Sequence, residues 1–173
     1  GLDFNSFKFR DGDGIKFIAQ SSRSQQLLFI TSEGKSFSLY LEQLKKDKGY
    51  GEPLNLMIGT GNVASIVSIL PFHHEGKGLI FSKKGLGFAI DFSSLKSSTK
   101  TGKQIFQLSE GDEVLGLQEI TGDNVIVLST SFKMLIFSVN ELPLLKKGKG
   151  VRLQRYKQEA LLDVVFYSQN EKN

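Results

Sequence analysis

The chain repeats itself, and that limits what it can fold into more than any single residue does. Three stretches, QLLFITSEGKSFSLYLEQL (26–44), GLIFSKKGLGFAIDFSSL (78–95) and NVIVLSTSFKMLIFSVNEL (124–142), share one plan. Each is an apolar run, a polar turn and an alternating apolar run that closes on leucine. Aligning Gly34, Gly85 and Phe132 sets the spacings at 51 and 47 residues and puts Leu44, Leu95 and Leu142 each ten residues further on. Periods of this size mark architectures in which one supersecondary unit stacks on the next.

The similarity extends to both sides of each hairpin. A turn and a β-branched run precede it: DGDGIKFIA (11–19), GTGNVASIVSI (59–69) and EGDEVLGLQEI (110–120). A Lys/Gly-rich loop follows it: KKDKGYGEPLNL (45–56), KSSTKTGKQIFQL (96–108) and LLKKGKGVRL (144–153). FNSFKF (4–9) takes the place of the closing strand at Leu54–Met57 and Ile105–Leu108, and LLDVVFY (161–167) reads as the start of a further unit. The apolar period within a unit is near two, rich in Val, Ile, Phe and Leu, with glycine at the tight reversals. No segment sustains a 3.6-residue period.

The expected fold is therefore all-β: a propeller-like array of four-stranded blades, with units at about 11–58, 59–108 and 109–157 and a further one starting in 158–173. A blade has two apolar faces and cannot bury both alone, so neighbours must stack. With 39% hydrophobic residues and 14 Phe there is ample apolar surface for such a core. The absence of Cys excludes disulfides and thiolate metal sites. No run approaches the roughly 18 apolar residues that span a bilayer, and the start lacks a signal-peptide layout. A soluble cytoplasmic protein with no membrane partner is expected.

The cations are unevenly placed. Of 22 Lys and Arg, ten fall in the three equivalent loops: Lys45, Lys46 and Lys48; Lys96, Lys100 and Lys103; Lys146, Lys147, Lys149 and Arg152. Stacked units would bring equivalent loops onto one rim. Spaced cations interleaved with glycine suit a phosphate backbone, because glycine lets backbone amides approach phosphate oxygens. Arg155 and Lys157 extend the third cluster. Taken alone, any one such loop is an ordinary solvated turn; the recurrence distinguishes these. Lys outnumbers Arg, and few Asn or Gln accompany them, so a phosphate backbone would be bound with little sequence preference.

Other chemistry finds little support. Gly148-Lys149-Gly150 lacks the spacing and following helix of a nucleotide-binding P-loop. His73 and His74 are adjacent in a turn with no further His or Cys to complete a metal shell. Asp11, Asp13, Asp112 and Glu113 sit beside glycines where turns call for them. No catalytic residue, metal site or cofactor is expected.

KGKGVRLQRYK (147–157), GYGEPLNLMI (49–58) and KFRDGDGIKF (8–17) resemble the C-terminal domain of the topoisomerase IV A subunit, itself related to that of the gyrase A subunit. The resemblance covers essentially the whole chain. It implies a β-pinwheel whose blades exchange strands, and a noncatalytic basic rim that binds and bends duplex DNA for decatenation and relaxation. It also implies a bacterial, nucleoid-associated setting. The implied partners are DNA, the ATPase subunit of the ATP-dependent enzyme and the catalytic core that belongs to the same polypeptide. The gyrase domain carries a Gln-Arg-Arg-Gly-Gly-Lys-Gly box that no loop here matches; the nearest is Lys146-Lys147-Gly148-Lys149-Gly150. Gyrase-like wrapping stands as the alternative, and a propeller-like peptide-binding scaffold as the rival from another class. Arg155-Tyr156 imitates the Arg-Tyr pair with which type IIA topoisomerases cleave DNA. In the family that tyrosine lies in a region this sequence lacks, so Tyr156 is expected to pack at a blade edge.

Overall fold

Period-two apolar patterning needs partners on both edges and both faces of each strand, and the hairpins obtain them from the following unit. A computed structural model describes residues 25–40, 65–97 and 102–169. Three antiparallel hairpins lie at its centre: β1 (Gln26–Thr31) with β2 (Lys35–Tyr40), β4 (Lys77–Ser82) with β5 (Leu86–Asp91), and β8 (Asn124–Ser129) with β9 (Met134–Ser138). Each takes its inner neighbour from the next unit: β3 (Ile66–Pro71), β7 (Val114–Glu119) and β11 (Leu161–Tyr167). Two also gain an outer strand from that unit, β6 (Lys103–Gln104) beside β2 and β10 (Val151–Arg152) beside β5. The sheets are thus β3-β1-β2-β6, β10-β5-β4-β7 and β11-β8-β9. The expected strand exchange is present, and each sheet cuts across the sequence units. Among the described residues there is no α-helix, only 3₁₀ turns at Phe92–Leu95 and Val139–Glu141.

The repeat is visible atom by atom. At the three hairpin turns Gly34, Gly85 and Phe132 donate their N–H to the carbonyls of Thr31, Ser82 and Ser129, at 3.0, 3.0 and 2.9 Å. The hydroxyls of those same residues accept the N–H of Lys35, Leu86 and Lys133 at 3.2, 3.2 and 3.0 Å. All three hydroxyl residues are fully buried, where an unpaired polar group would be costly. Val114 donates to the Ser32 carbonyl, and Leu161, its counterpart, donates to Lys83, each at 2.9 Å.

Alternation divides each strand between two interfaces. Ile80, Phe88 and Ile90 of the second sheet pack with Leu28, Ile30 and Val67 of the first. Leu79, Phe81 and Ala89 face the third sheet through Val125, Val127, Leu161 and Val164. The middle sheet is buried on both faces, which is why β4 reads as an unbroken apolar run. Each buried Phe or Leu contributes about 1.5–3 kcal/mol. The closing leucines Leu95 and Leu142 seal the sheet ends, at 0% and 8% exposure.

Candidate nucleic-acid interface

The third basic loop is held at intervals by backbone hydrogen bonds. The Ala89 N–H donates to the Pro143 carbonyl at 2.9 Å, and Leu145 donates to the Ala89 carbonyl at 2.9 Å. Three residues on, Gly148 donates to Ile105 at 3.0 Å while Gln107 donates to Gly148 at 2.9 Å. Gly150, at φ +74°, presses against the Gly87 backbone so closely that a Cβ would collide with it. The loop therefore runs from the second sheet across to the first and back. Lys146, Lys147 and Lys149 stand exposed between these anchors, with Arg152 exposed on β10. Arg155 and Lys157 are exposed beyond it. From Leu142 to Gln158 there is no carboxylate to neutralise these six cations.

The second loop ends at the equivalent place. Gly102 (φ +77°) leads into β6 as Gly150 leads into β10, and β6 and β10 hold the same fourth position in their sheets. Lys96 is exposed, its ammonium 5.8 Å from the Phe72 ring centroid, a ring that also meets His74 edge-on. Lys103 differs: it is half-buried, and its ammonium donates to the Ser94 carbonyl at 2.8 Å. Lys45, Lys46, Lys48 and Lys100 lie outside the described residues.

Comparison with known proteins points to one family. The family model for the DNA gyrase C-terminal domain, beta-propeller, matches residues 79–120 and 123–165. The A subunit of DNA topoisomerase 4 from Rickettsia bellii is 34% identical over 169 residues, 98% of this chain and 23% of the relative. Its counterpart from Caulobacter vibrioides is 32% identical over 166 residues, 96% of this chain and 22% of the relative. The chain belongs to this family, the C-terminal domains of the topoisomerase IV and gyrase A subunits. It spans less than a quarter of the length of these relatives. The fold is shared with the solved E. coli ParC C-terminal domain, at TM-score 0.73 and 24% identity over 83% of this chain and 62% of that one. A solved DNA gyrase A C-terminal domain gives TM-score 0.65 at 18% identity, over 83% and 48%.

Within this topoisomerase-type domain, Tyr156 is a packing residue. Its ring lies over the β4–β5 turn, where a Cβ on Gly85 would come within 2.6 Å of it. Its hydroxyl is buried and has no hydrogen-bond partner among the described residues, and burial, aided by the nearby Glu159 carboxylate, pushes its pKa up to about 12. A nucleophilic tyrosine needs the opposite shift. Asp112 is equally structural, its Oδ1 accepting the N–H groups of Lys84 and Glu113, each at 2.9 Å. His73 and His74 are exposed, and no group of metal-ligating side chains occurs among the described residues.

Two further cations escaped the sequence reading. Lys83 and Lys84 are exposed on the turn that Tyr156 covers, next to the Arg155–Lys157 segment. Lys84 is tethered by its ammonium to the Glu110 carbonyl at 2.6 Å, while the Lys83 carbonyl accepts from Leu161. Only the adjacent pair KK in the turn could have signalled them. Among the described residues no helix is long and apolar enough to cross a membrane.

Proposed function

We propose that this domain binds duplex DNA along the outer side of its sheets and bends it, without itself cleaving DNA. In the full enzyme it would present the bent segment to the catalytic core of its own polypeptide, working with the ATPase subunit. The observation that carries this reading is the carboxylate-free run from Lys146 to Lys157, displayed on a loop anchored to two sheets. A rigid array of cations loses little conformational freedom when it meets a regular phosphate backbone, so neutralisation is effective. Such contacts position DNA without reading its sequence, leaving deformability to set preference.

The test is a mobility-shift titration with linear duplex across a salt series. Neutralising about five to eight phosphates makes log K fall against log[salt] with a slope of roughly −4 to −7. Lys147→Glu and Lys149→Glu are expected to flatten that slope. Lys103→Glu is expected to change it less, because its ammonium is already engaged by Ser94. A slope near zero in the unmodified domain would overturn the reading. Gyrase-like wrapping is disfavoured by the loop sequence Lys146–Gly150, and a DNA-wrapping assay on the full enzyme distinguishes it.

A further inference from the structure

Glu159 holds its carboxylate in a ready-made anion site. Oε2 accepts the consecutive N–H groups of Lys157 and Gln158 at 2.9 and 3.3 Å, and Oε1 accepts the Lys133 ammonium at 2.9 Å. Two successive backbone N–H groups and a lysine are donors that suit a phosphate oxygen equally well. The same contacts, the Lys133 bond foremost, hold the Glu159 carboxyl down at about 2, so the pocket favours a negative charge. Arg155 and Lys157 stand exposed on the same segment.

The counterpart one repeat earlier is built differently. Asp112 precedes Val114 by two residues, as Glu159 precedes Leu161. Its Oδ1 accepts the Lys84 N–H of the β4–β5 turn as well as the Glu113 N–H. Asp112 thus joins two elements through their backbones. Glu159 takes backbone N–H groups only from its own segment, and its link to the third hairpin is an ion pair open to solvent. Pairs of that kind are weak. Other bonds hold the junction: Thr130 donates to the Ala160 carbonyl at 2.8 Å, Ala160 to Thr130 Oγ1 at 3.1 Å, and Leu161 to the Lys83 carbonyl at 2.9 Å. The Glu159 side chain can therefore swing out while its segment stays in place.

We infer that Glu159 is an internal stand-in at a phosphate site, displaced by a DNA phosphodiester when a duplex reaches Arg155 and Lys157. The inference rests on the DNA-binding reading and deepens it, because the domain then carries one phosphate contact in masked form. A free anion competes poorly with a tethered carboxylate. A duplex already held by neighbouring cations meets the site at high effective concentration.

The test follows amide shifts of the isotopically labelled 173-residue protein during titration with sodium sulfate, against sodium chloride at equal ionic strength. In Glu159→Ala, saturable sulfate shifts are expected at Lys157 and Gln158. They should be about tenfold weaker in the unmodified protein and lost when Lys133→Ala is added. A thermal melt checks folding, with Glu159→Gln as the substitute if the alanine variant does not fold. In a mobility-shift salt series, Glu159→Ala should bind linear duplex several-fold more tightly, with a slope steeper by roughly 0.9, the worth of one phosphate. Glu113→Ala removes an exposed carboxylate from the preceding crossing segment and should leave the slope unchanged. No sulfate shifts at Lys157 and Gln158, equal shifts in the unmodified protein, or an equal slope change from Glu113→Ala would overturn the site and leave the DNA-binding reading standing. Sulfate binding with no duplex binding at all would overturn the duplex as occupant, together with that reading.

Discussion

At the residue scale, one position serves three turns with two different residues. Gly34, Gly85 and Phe132 all adopt positive φ, at 86°, 90° and 63°. Left-handed backbone costs a side-chain-bearing residue about 1–2 kcal/mol and glycine almost nothing. At Gly85 an added Cβ would also meet Tyr156 at 2.6 Å. Gly85→Ala is therefore expected to destabilise by about 2–4 kcal/mol, combining backbone strain with overpacking. Phe132 is 76% exposed, so Phe132→Gly relieves strain and removes little packing, and should stabilise by about 1 kcal/mol. Urea unfolding of both variants measures the contrast; equal signs would contradict the turn geometry.

At the scale of elements, the segment from Leu153 to Ala160 ties the second and third sheets together, and ionisable groups govern it. The Lys133 ammonium donates to Glu159 Oε1 at 2.9 Å, and the Lys157 N–H donates to Oε2 at 2.9 Å. The Lys133 bond, followed by backbone bonds, holds the Glu159 pKa down at about 2. A carboxyl depressed on folding stabilises above its unfolded pKa, and that contribution fades as pH falls from about 4.5 toward 2. Glu159→Gln should flatten the stability profile in that window, as acid titration followed by circular dichroism would show. Tyr156 acts at the other end. With its pKa raised from 10.0 to about 12, the folded state keeps a proton the unfolded chain has lost, so stability declines between those values. Tyr156→Phe deletes a buried hydroxyl that has no partner among the described residues and should leave stability unchanged or raise it by up to about 1 kcal/mol. The same variant in a full-length enzyme should still pass strands; a cleavage-dead phenotype would contradict the packing role.

At the scale of the whole molecule, stacking turns local charge into a surface. Lys146, Lys147 and Lys149 are carried by the third unit, yet their loop is bonded to Ile105 and Gln107 from the second and lies over β5. Cutting those anchors without touching a cation should therefore weaken DNA binding. Gly150→Ala, which drives a Cβ into the Gly87 backbone, is expected to reduce affinity several-fold while the charge stays constant. Titration of the labelled duplex at fixed salt measures it, with a thermal melt confirming that the variant remains folded.

The sequence by itself determined the repeat, the strand period, the three turns and the basic character of the loops, because these depend on neighbours within ten or so residues. The alignment of Gly34 with Gly85 and Phe132 came from spacing, and it coincides with three matched turns in three dimensions. Arg155-Tyr156 was separable from a catalytic pair through the family resemblance, which places the cleaving tyrosine in another region. What only tertiary structure decided depends on which strand lies beside which. The Lys103 ammonium is engaged by Ser94 while Lys149 is free of such a bond to the described residues, though both sit in lysine–glycine loops. Lys83 and Lys84 join the basic side because Tyr156 folds over their turn. The exposed face of β9 could not be read from KMLIF, as apolar as its buried counterparts. Among the described residues no strand lies on its outer side: hydrophobic patterning says which side chains need cover, and only the packed neighbours say whether they receive it.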